Sequence, residues 1–262
     1  MTHDAAAYDA GKLFDLTGKV AVVTGGSRGM GHSMVHAFAA AGADVVIASR
    51  KLDACERTAR EVEGATGRRA LAVATHVGHW DDCDALIDAT LEHFGRIDIL
   101  VNNAGMSPRY ERLDDISEEL YDKTLAVNLK GPFRLAVRAA THMAEHDGGS
   151  IINVGTVGSL IASTNELPYA CAKAGLNALT VGLAEAFAPK VRVNAILPGP
   201  FDTDIAKAWP EAQRTQAGDY VPLGRLGDPD EVVGAALYLA GSASSFTTGA
   251  TIRIDGGVAR KV

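Results

Sequence analysis

The chain has 262 residues, 47% of them hydrophobic and 22% charged, with a formal net charge of −7; that supplies a sizeable core for one α/β domain, while the acidic balance and the lack of any Lys/Arg cluster exclude a nucleic-acid binder. No apolar run reaches the ~18 residues that span a bilayer, and the N-terminus lacks the basic-then-apolar order of a secretory signal. Three scattered cysteines, Cys55, Cys83 and Cys171, have no metal-ligand spacing and suit a reducing compartment, so a cytoplasmic protein is expected.

Residues 1–15 read as a loosely ordered arm, and 16–262 as the domain. Lys19–Thr24 is a continuous apolar run, the pattern of a strand buried on both faces of a parallel sheet. Gly25, Gly26, Ser27, Arg28, Gly29, Met30 and Gly31 follow at once, and Met34, Val35, Phe38 and Ala39 then recur at helical spacing. Strand, glycine-rich turn and helix in that order form a cradle for a dinucleotide pyrophosphate, because glycines permit close approach and the helix start offers N–H groups. Asp44–Ser49 is the second strand. At its end stand Ser49, Arg50 and Lys51, where an acidic residue would hold the ribose 2′-OH of NAD; the basic pair suits the 2′-phosphate of NADP, with Arg28 able to converge on it. NADP(H) is therefore the expected cofactor and NAD(H) the alternative. Arg50 and Lys51 also read as a solvated loop pair.

Leu52–Thr66 and Trp80–Phe94 are helices, the second with an acidic first turn that complements its dipole. Arg69–Thr75 and Ile97–Val101 are strands between and after them. Asn102-Asn103-Ala104-Gly105 closes the fourth strand, beside the first strand by chain order and so at the point where a doubly wound sheet binds ligand; it also reads as plain turn chemistry. Ser117 caps a long helix reaching about His146, with Asn128 inside it, an unfavourable mid-helix residue that signals a kink or a polar role. Ile151–Val154 is a strand, followed by a small-residue loop and, after Pro168, a helix that puts Tyr169 and Lys173 on one face. A cation beside a phenol favours the ionised form, and Thr156 brings a hydroxyl to the same place. Val191–Leu197 is a strand, Asp228 to Glu231 starts the last long helix as a capping box, and Thr251–Ile254 is the final strand. This alternation gives a single doubly wound α/β sheet.

The set Thr24-Gly25-x3-Gly29-x-Gly31, Asn102-Asn103-Ala104-Gly105, Asn128, Tyr169-x3-Lys173 and Pro198-Gly199 resembles the short-chain dehydrogenase/reductase family from about Leu16 to the C-terminus. The resemblance implies a Rossmann-type fold of seven parallel strands, assembled as a homotetramer or homodimer, with the Tyr-Lys helix in an interface. It implies that Gly25, Ser27, Arg28, Gly29, Met30 and Gly31 hold the diphosphate and adenosine ribose. Asn103, Ala104 and Gly105 would line the central ribose, and Pro198, Gly199, Phe201 and Thr203 would fix the nicotinamide. Tyr169 would be the general acid or base, Lys173 would lower its pKa and bond the nicotinamide ribose, and Asn128 would anchor a water leading from Lys173. No metal is implied.

Two positions depart from the family's commonest pattern. Thr156 stands where serine is usual, and Ser159 is a nearer hydroxyl in poorer register. His76-Val77 stands where Asp-Val often reads the adenine; the imidazole can accept from the adenine amino group when neutral, and Val77 contributes backbone. The implied activity is hydride transfer between nicotinamide and a carbonyl or secondary alcohol, with 3-oxoacyl thioester reduction foremost and NAD-dependent alcohol, sugar or steroid oxidation as alternatives. A non-catalytic dinucleotide sensor on the same fold is the rival from another class. A lid at about 200–222, with Lys207, Trp209 and Arg214, and walls at Ser107–Arg109, Leu160, Ile161 and Leu167 would shape a mostly apolar substrate pocket.

Overall fold

The computed structural model, which describes residues 9–203 and 219–259, holds a seven-stranded sheet in the order β3-β2-β1-β4-β5-β6-β7. The strands are β1 (Val20–Thr24), β2 (Asp44–Ser49), β3 (Ala70–Ala74), β4 (Ile99–Asn102), β5 (Gly149–Val154), β6 (Val191–Pro198) and β7 (Thr251–Ile254), and every pairing is parallel. Helices alternate with them: α1 (Ala10–Leu13), α2 (Gly29–Ala40), α3 (Leu52–Thr66), α4 (Trp80–Phe94), α5 (Glu118–Leu125), α6 (Gly131–Glu145), α7 (Leu167–Ala186) and α8 (Val233–Ala240). No described helix is long and apolar enough to cross a membrane.

Side chains alternate across a strand, so each strand feeds two cores. Ala21 and Val23 of β1 point to the face covered by α2, α3 and α8, where Phe38, Val62 and Leu239 are buried. Val20 and Val22 point to the other face, under α4, α6 and α7, with Leu86, Leu135 and Leu183. Strands buried on both sides need no polar face, which is why the sequence shows unbroken apolar runs.

Of the expected arm, residues 9–15 carry the short helix α1, capped by the Asp9 carboxylate accepting from Gly11 N at 2.9 Å; residues 1–8 lie outside the described residues. The long helix expected from Ser117 to about His146 forms, with a local irregularity at Asn128 inside it. Ser117 caps α5, a π turn follows at Ala126–Lys130, and α6 begins at Gly131. The cause is a close tertiary approach: a Cβ on Gly131 would collide with the Val77 carbonyl oxygen. The chain passes Val77 only with glycine there, and the widened turn sets Asn128 inward, fully buried.

Candidate active site

Strand order reverses between β1 and β4, and their C-terminal ends open a cleft there, the place where doubly wound sheets bind ligands. The glycine-rich turn forms one lip. Gly25 and Gly29 hold φ of +67° and +54°, left-handed values that favour glycine. Gly31 packs so tightly on the turn that a Cβ would strike the Gly25 carbonyl oxygen and lie 2.5 Å from Asn103 Nδ2.

The Asn102–Gly105 turn is more than a connection. Thr24 Oγ1 donates to the Val101 carbonyl and accepts from the backbone N–H groups of Asn103 and Ala104 at 3.0 and 3.1 Å. Asn103 Nδ2 donates to the Thr24 carbonyl at 2.9 Å. Below it, Asn102 Nδ2 donates to Asn153 Oδ1 at 2.9 Å, and Asn153 Nδ2 donates to Thr180 Oγ1 at 2.9 Å. These bonds tie the two lips of the cleft and β5 into one rigid frame.

Gly25, Ser27, Arg28, Gly29, Met30, Gly31, Ser49, Arg50, His76, Val77, Asn103, Ala104, Gly105 and Thr203 all line this cleft. Sequence reasoning missed Ala48, Thr75, Met106, Lys123 and Val127, which line it too. Lys123 gave no local signal, since it is an exposed lysine on α5. A narrow glycine-walled cradle, a helix N-terminus and flanking Arg28 and Arg50 fit the diphosphate and adenosine half of a dinucleotide.

His76 is set differently from what its neighbours in sequence suggest. Its Nδ1 accepts from Gly78 N at 3.2 Å, which leaves the proton of the neutral ring on Nε2. Burial, then His79, hold its pKa below the ordinary imidazole value, and Arg50 adds to this. The ring stacks on His79 at 4.2 Å. With Nδ1 engaged, the neutral side chain has a donor, Nε2–H, left for a ligand.

The catalytic candidates meet at the Gly105 end. Thr156 leaves β5 and caps a short turn, its Oγ1 accepting from Gly158 N at 3.1 Å, and it lies near enough to the Tyr169 phenol to lower the phenol's pKa. Lys173, buried one helical turn on, donates to the Val154 carbonyl at 2.7 Å and lies 5.9 Å from the Tyr169 ring centroid. A Cβ on Gly105 would sit 3.0 Å from Asn128 Oδ1 and 3.7 Å from Lys173 Nζ, so these three enclose one small space. Asn128 clamps Met106, its Nδ2 donating to the Met106 carbonyl at 2.8 Å and its Oδ1 accepting from the Met106 N–H at 3.2 Å. Ser159 is committed elsewhere, donating to the Thr156 carbonyl and accepting from Asn177 Nδ2.

Burial, then the Glu166 carboxylate, push the Tyr169 phenol up to about 12, and the Thr156 hydroxyl acts in the opposite direction. The Lys173 ammonium is turned to the Val154 carbonyl, and burial pushes its pKa down to about 8. Glu166, which sequence reasoning did not single out, accepts from Ser107 Oγ at 2.9 Å beside Tyr169.

Other expected residues lie apart. Pro198 ends β6, and Gly199 abuts Asp255. The Phe201 ring turns from the cleft and packs on Gly227, whose Cβ position is 3.0 Å from it. Leu160, Ile161 and Leu167 are exposed apolar side chains around the turn after Thr156. Cys171 is exposed, two residues and more than half a turn from Tyr169, so it faces away from the site. Lys207, Trp209, Arg214 and most of the expected lid lie outside the described residues.

Comparison with known proteins agrees with this geometry. The family profile described as enoyl-(acyl carrier protein) reductase matches residues 25–259. The 3-oxoacyl-(acyl-carrier-protein) reductase of Thermotoga maritima is 36% identical over 244 residues, 93% of this chain and 98% of its own. The L-rhamnose 1-dehydrogenase (NAD(P)(+)) of Azotobacter vinelandii is 38% identical over 250 residues, 93% of this chain and 97% of its own. The gluconate 5-dehydrogenase of Burkholderia cenocepacia J2315, solved in complex with NADP and tartrate, superposes with a TM-score of 0.90 at 35% identity, over 97% of this chain and 100% of that one.

Proposed function

This chain belongs to the short-chain dehydrogenase/reductase family of oxidoreductases, and from that premise we propose that it interconverts a carbonyl and a secondary alcohol with NADP(H). The observation that supports the proposal is the grouping of the Thr156 hydroxyl, the Tyr169 phenol and the Lys173 ammonium where β5 leads into α7, with Lys173 Nζ close to Gly105, a residue of the glycine-walled cleft. A bound nicotinamide supplies the hydride for reduction and receives it in oxidation. Thr156 donates to the substrate oxygen and polarises it. Tyr169 gives its proton to that oxygen in reduction and withdraws it in oxidation. Lys173 places positive charge under the phenol and reaches the ribose, while Asn128 keeps Met106 and Gly105 in place around it. No metal is needed for these steps.

The NADP preference rests on Arg50, exposed at the end of β2 with no acidic residue beside it, together with Arg28 across the cleft. Arg50→Asp is expected to weaken NADPH binding and spare NADH. For substrate, 3-oxoacyl thioesters suit the apolar Leu160, Ile161 and Leu167. A second reading has its own observation, because Glu166 held by Ser107 puts a hydrogen-bonding carboxylate near Tyr169, which suits a polyhydroxylated substrate and disfavours an anionic one. Turnover across thioester, ketone and sugar panels decides between them. The working assembly is read as a homotetramer or homodimer. Tyr169→Phe tests the whole: turnover is expected to vanish while NADPH binding persists, and turnover like that of the unmodified enzyme would refute the assignment. NADPH binding without turnover on any panel would instead favour a sensor.

A further inference from the structure

A second cluster of titratable side chains lies on α2 and α3, and the reaction does not use it. His32 and His36 stand four residues apart on α2 and share a face, and α3 sets Glu61 against them. Nε2 of His32 is 3.2 Å, and Nε2 of His36 3.8 Å, from the same carboxylate oxygen, Glu61 Oε2. All three ligand atoms lie within 4.8 Å of one another. We propose that this triad binds one divalent transition ion of the zinc, cobalt and nickel class and clips α2 to α3.

Ligand bonds of ~2.0–2.2 Å in a tetrahedral array separate the donor atoms by about 3.4 Å. Two of the three edges already stand near that length, and the third closes by rotation of the half-buried imidazoles toward each other. A hydrogen bond to Glu61 satisfies only one ring, because His36 Nε2 is shielded from solvent and has no hydrogen-bond partner. A cation at the centre satisfies all three groups together. Asp230, close enough to act on His36 electrostatically, adds negative charge at the rim. Two imidazoles and one carboxylate select zinc-like ions over calcium or magnesium, which prefer all-oxygen sites. Water fills the fourth position.

The molecule carries its own control. His142 and His146 are also four residues apart and stack at 4.2 Å, yet His146 Nδ1 is engaged with the His142 carbonyl at 2.8 Å. Among the described residues no carboxylate completes a ligand set with them.

The experiment is calorimetric titration of chelator-treated full-length protein with Zn²⁺, alongside melting temperatures with and without the ion. One saturating equivalent is expected, and it raises the melting temperature. His36→Ala and Glu61→Gln, each with an unchanged circular dichroism spectrum, should weaken binding at least about tenfold and abolish the thermal gain, while His142→Ala changes neither. Absence of a saturable equivalent would overturn the proposal. So would retention of full affinity in His36→Ala and Glu61→Gln, or loss of the equivalent in His142→Ala.

Discussion

Neutralising Glu166 should move the working pH of the enzyme. The Tyr169 phenol is driven up first by burial and second by this carboxylate, and only the second cause can be removed without opening the site. A Cβ position on Gly158 lies 3.6 Å from Glu166 Oε1 and 3.5 Å from Thr156 Oγ1. The two oxygens are thus at most about 7 Å apart, and with the phenol near Thr156 the charge acts on it over about 10 Å, where a unit charge is worth about 0.4 kcal/mol in water and about 1.7 kcal/mol at an effective dielectric of ~20. Divided by ~1.4 kcal/mol per pKa unit, Glu166→Gln should lower the pKa of the phenol by about 0.3 to 1.2. The glutamine carbonyl still accepts from Ser107, so the wall keeps its shape. The assay is kcat/KM for alcohol oxidation as a function of pH, whose rising limb reports the base of the free enzyme. That limb should shift to lower pH in Glu166→Gln and stay in place in Glu166→Asp. A limb that does not move, or moves upward, would refute the placement of Glu166 as a charge acting on Tyr169.

Other perturbations test neighbouring parts. Thr156→Ser should preserve activity, whereas Thr156→Ala should cost on the order of 100-fold in kcat, since it removes a donor to developing negative charge; Ser159, already committed to Asn177 and the Thr156 carbonyl, is not expected to replace it. Gly31→Ala should abolish NADPH binding measured by fluorescence titration, because its Cβ would lie 2.5 Å from Asn103 Nδ2 and force the cradle apart. Asp98 is buried; burial opposes its charge, but Arg96, the Val20 N–H and Lys19 outweigh that and hold its pKa below the usual value. Its folded pKa lies under the unfolded one near 3.9, so the stabilisation is complete above that value and is lost as pH falls through the folded pKa. Urea midpoints of Asp98→Asn should therefore be lower than those of the unmodified chain at neutral pH and converge with them in acid.

Where the sequence carried its own punctuation, the elements could be read closely. The helices Leu52–Thr66 and Trp80–Phe94 end where expected because Gly67 and Gly95 take the left-handed cap. The Asp228–Glu231 capping box forms as its residues suggest. The site was legible only in part. The glycine turn, Asn103, Tyr169 and Lys173 are close to their elements' ends, so chain order alone brings them together. The π turn at Ala126–Lys130 depends on Gly131 passing Val77, a contact across 54 residues that no local pattern encodes. The direction of Phe201 is decided by Gly227, and the roles open to Lys123 and Glu166 by neighbours distant in sequence. The phenol's pKa was the least legible of all, because burial, its largest cause, is a property of the whole fold.

The two ends of the cleft differ in electrical character, and that difference links cofactor choice to substrate choice. Around the outer end stand Arg28, Arg50 and Lys123, with His76 as a neutral donor, its Nδ1 occupied by Gly78 N. Each of these groups offers N–H to a ligand, so the outer end rewards phosphate and acceptor atoms and gives an adenine amino group nothing to donate to at His76. The inner end places the Glu166 carboxylate near the Tyr169 phenol, with Lys173 buried one helical turn on. A negative substrate would meet Glu166 at close range, and each like charge there would raise the phenol further from its working range. The polarity that favours a 2′-phosphate at one end therefore works against an anion at the other. If the proposed roles of Tyr169 and Lys173 hold, a neutral carbonyl or hydroxylated substrate is expected to be turned over faster than an anionic analogue of the same size, and equal turnover of the two would refute the field of Glu166 as a selector.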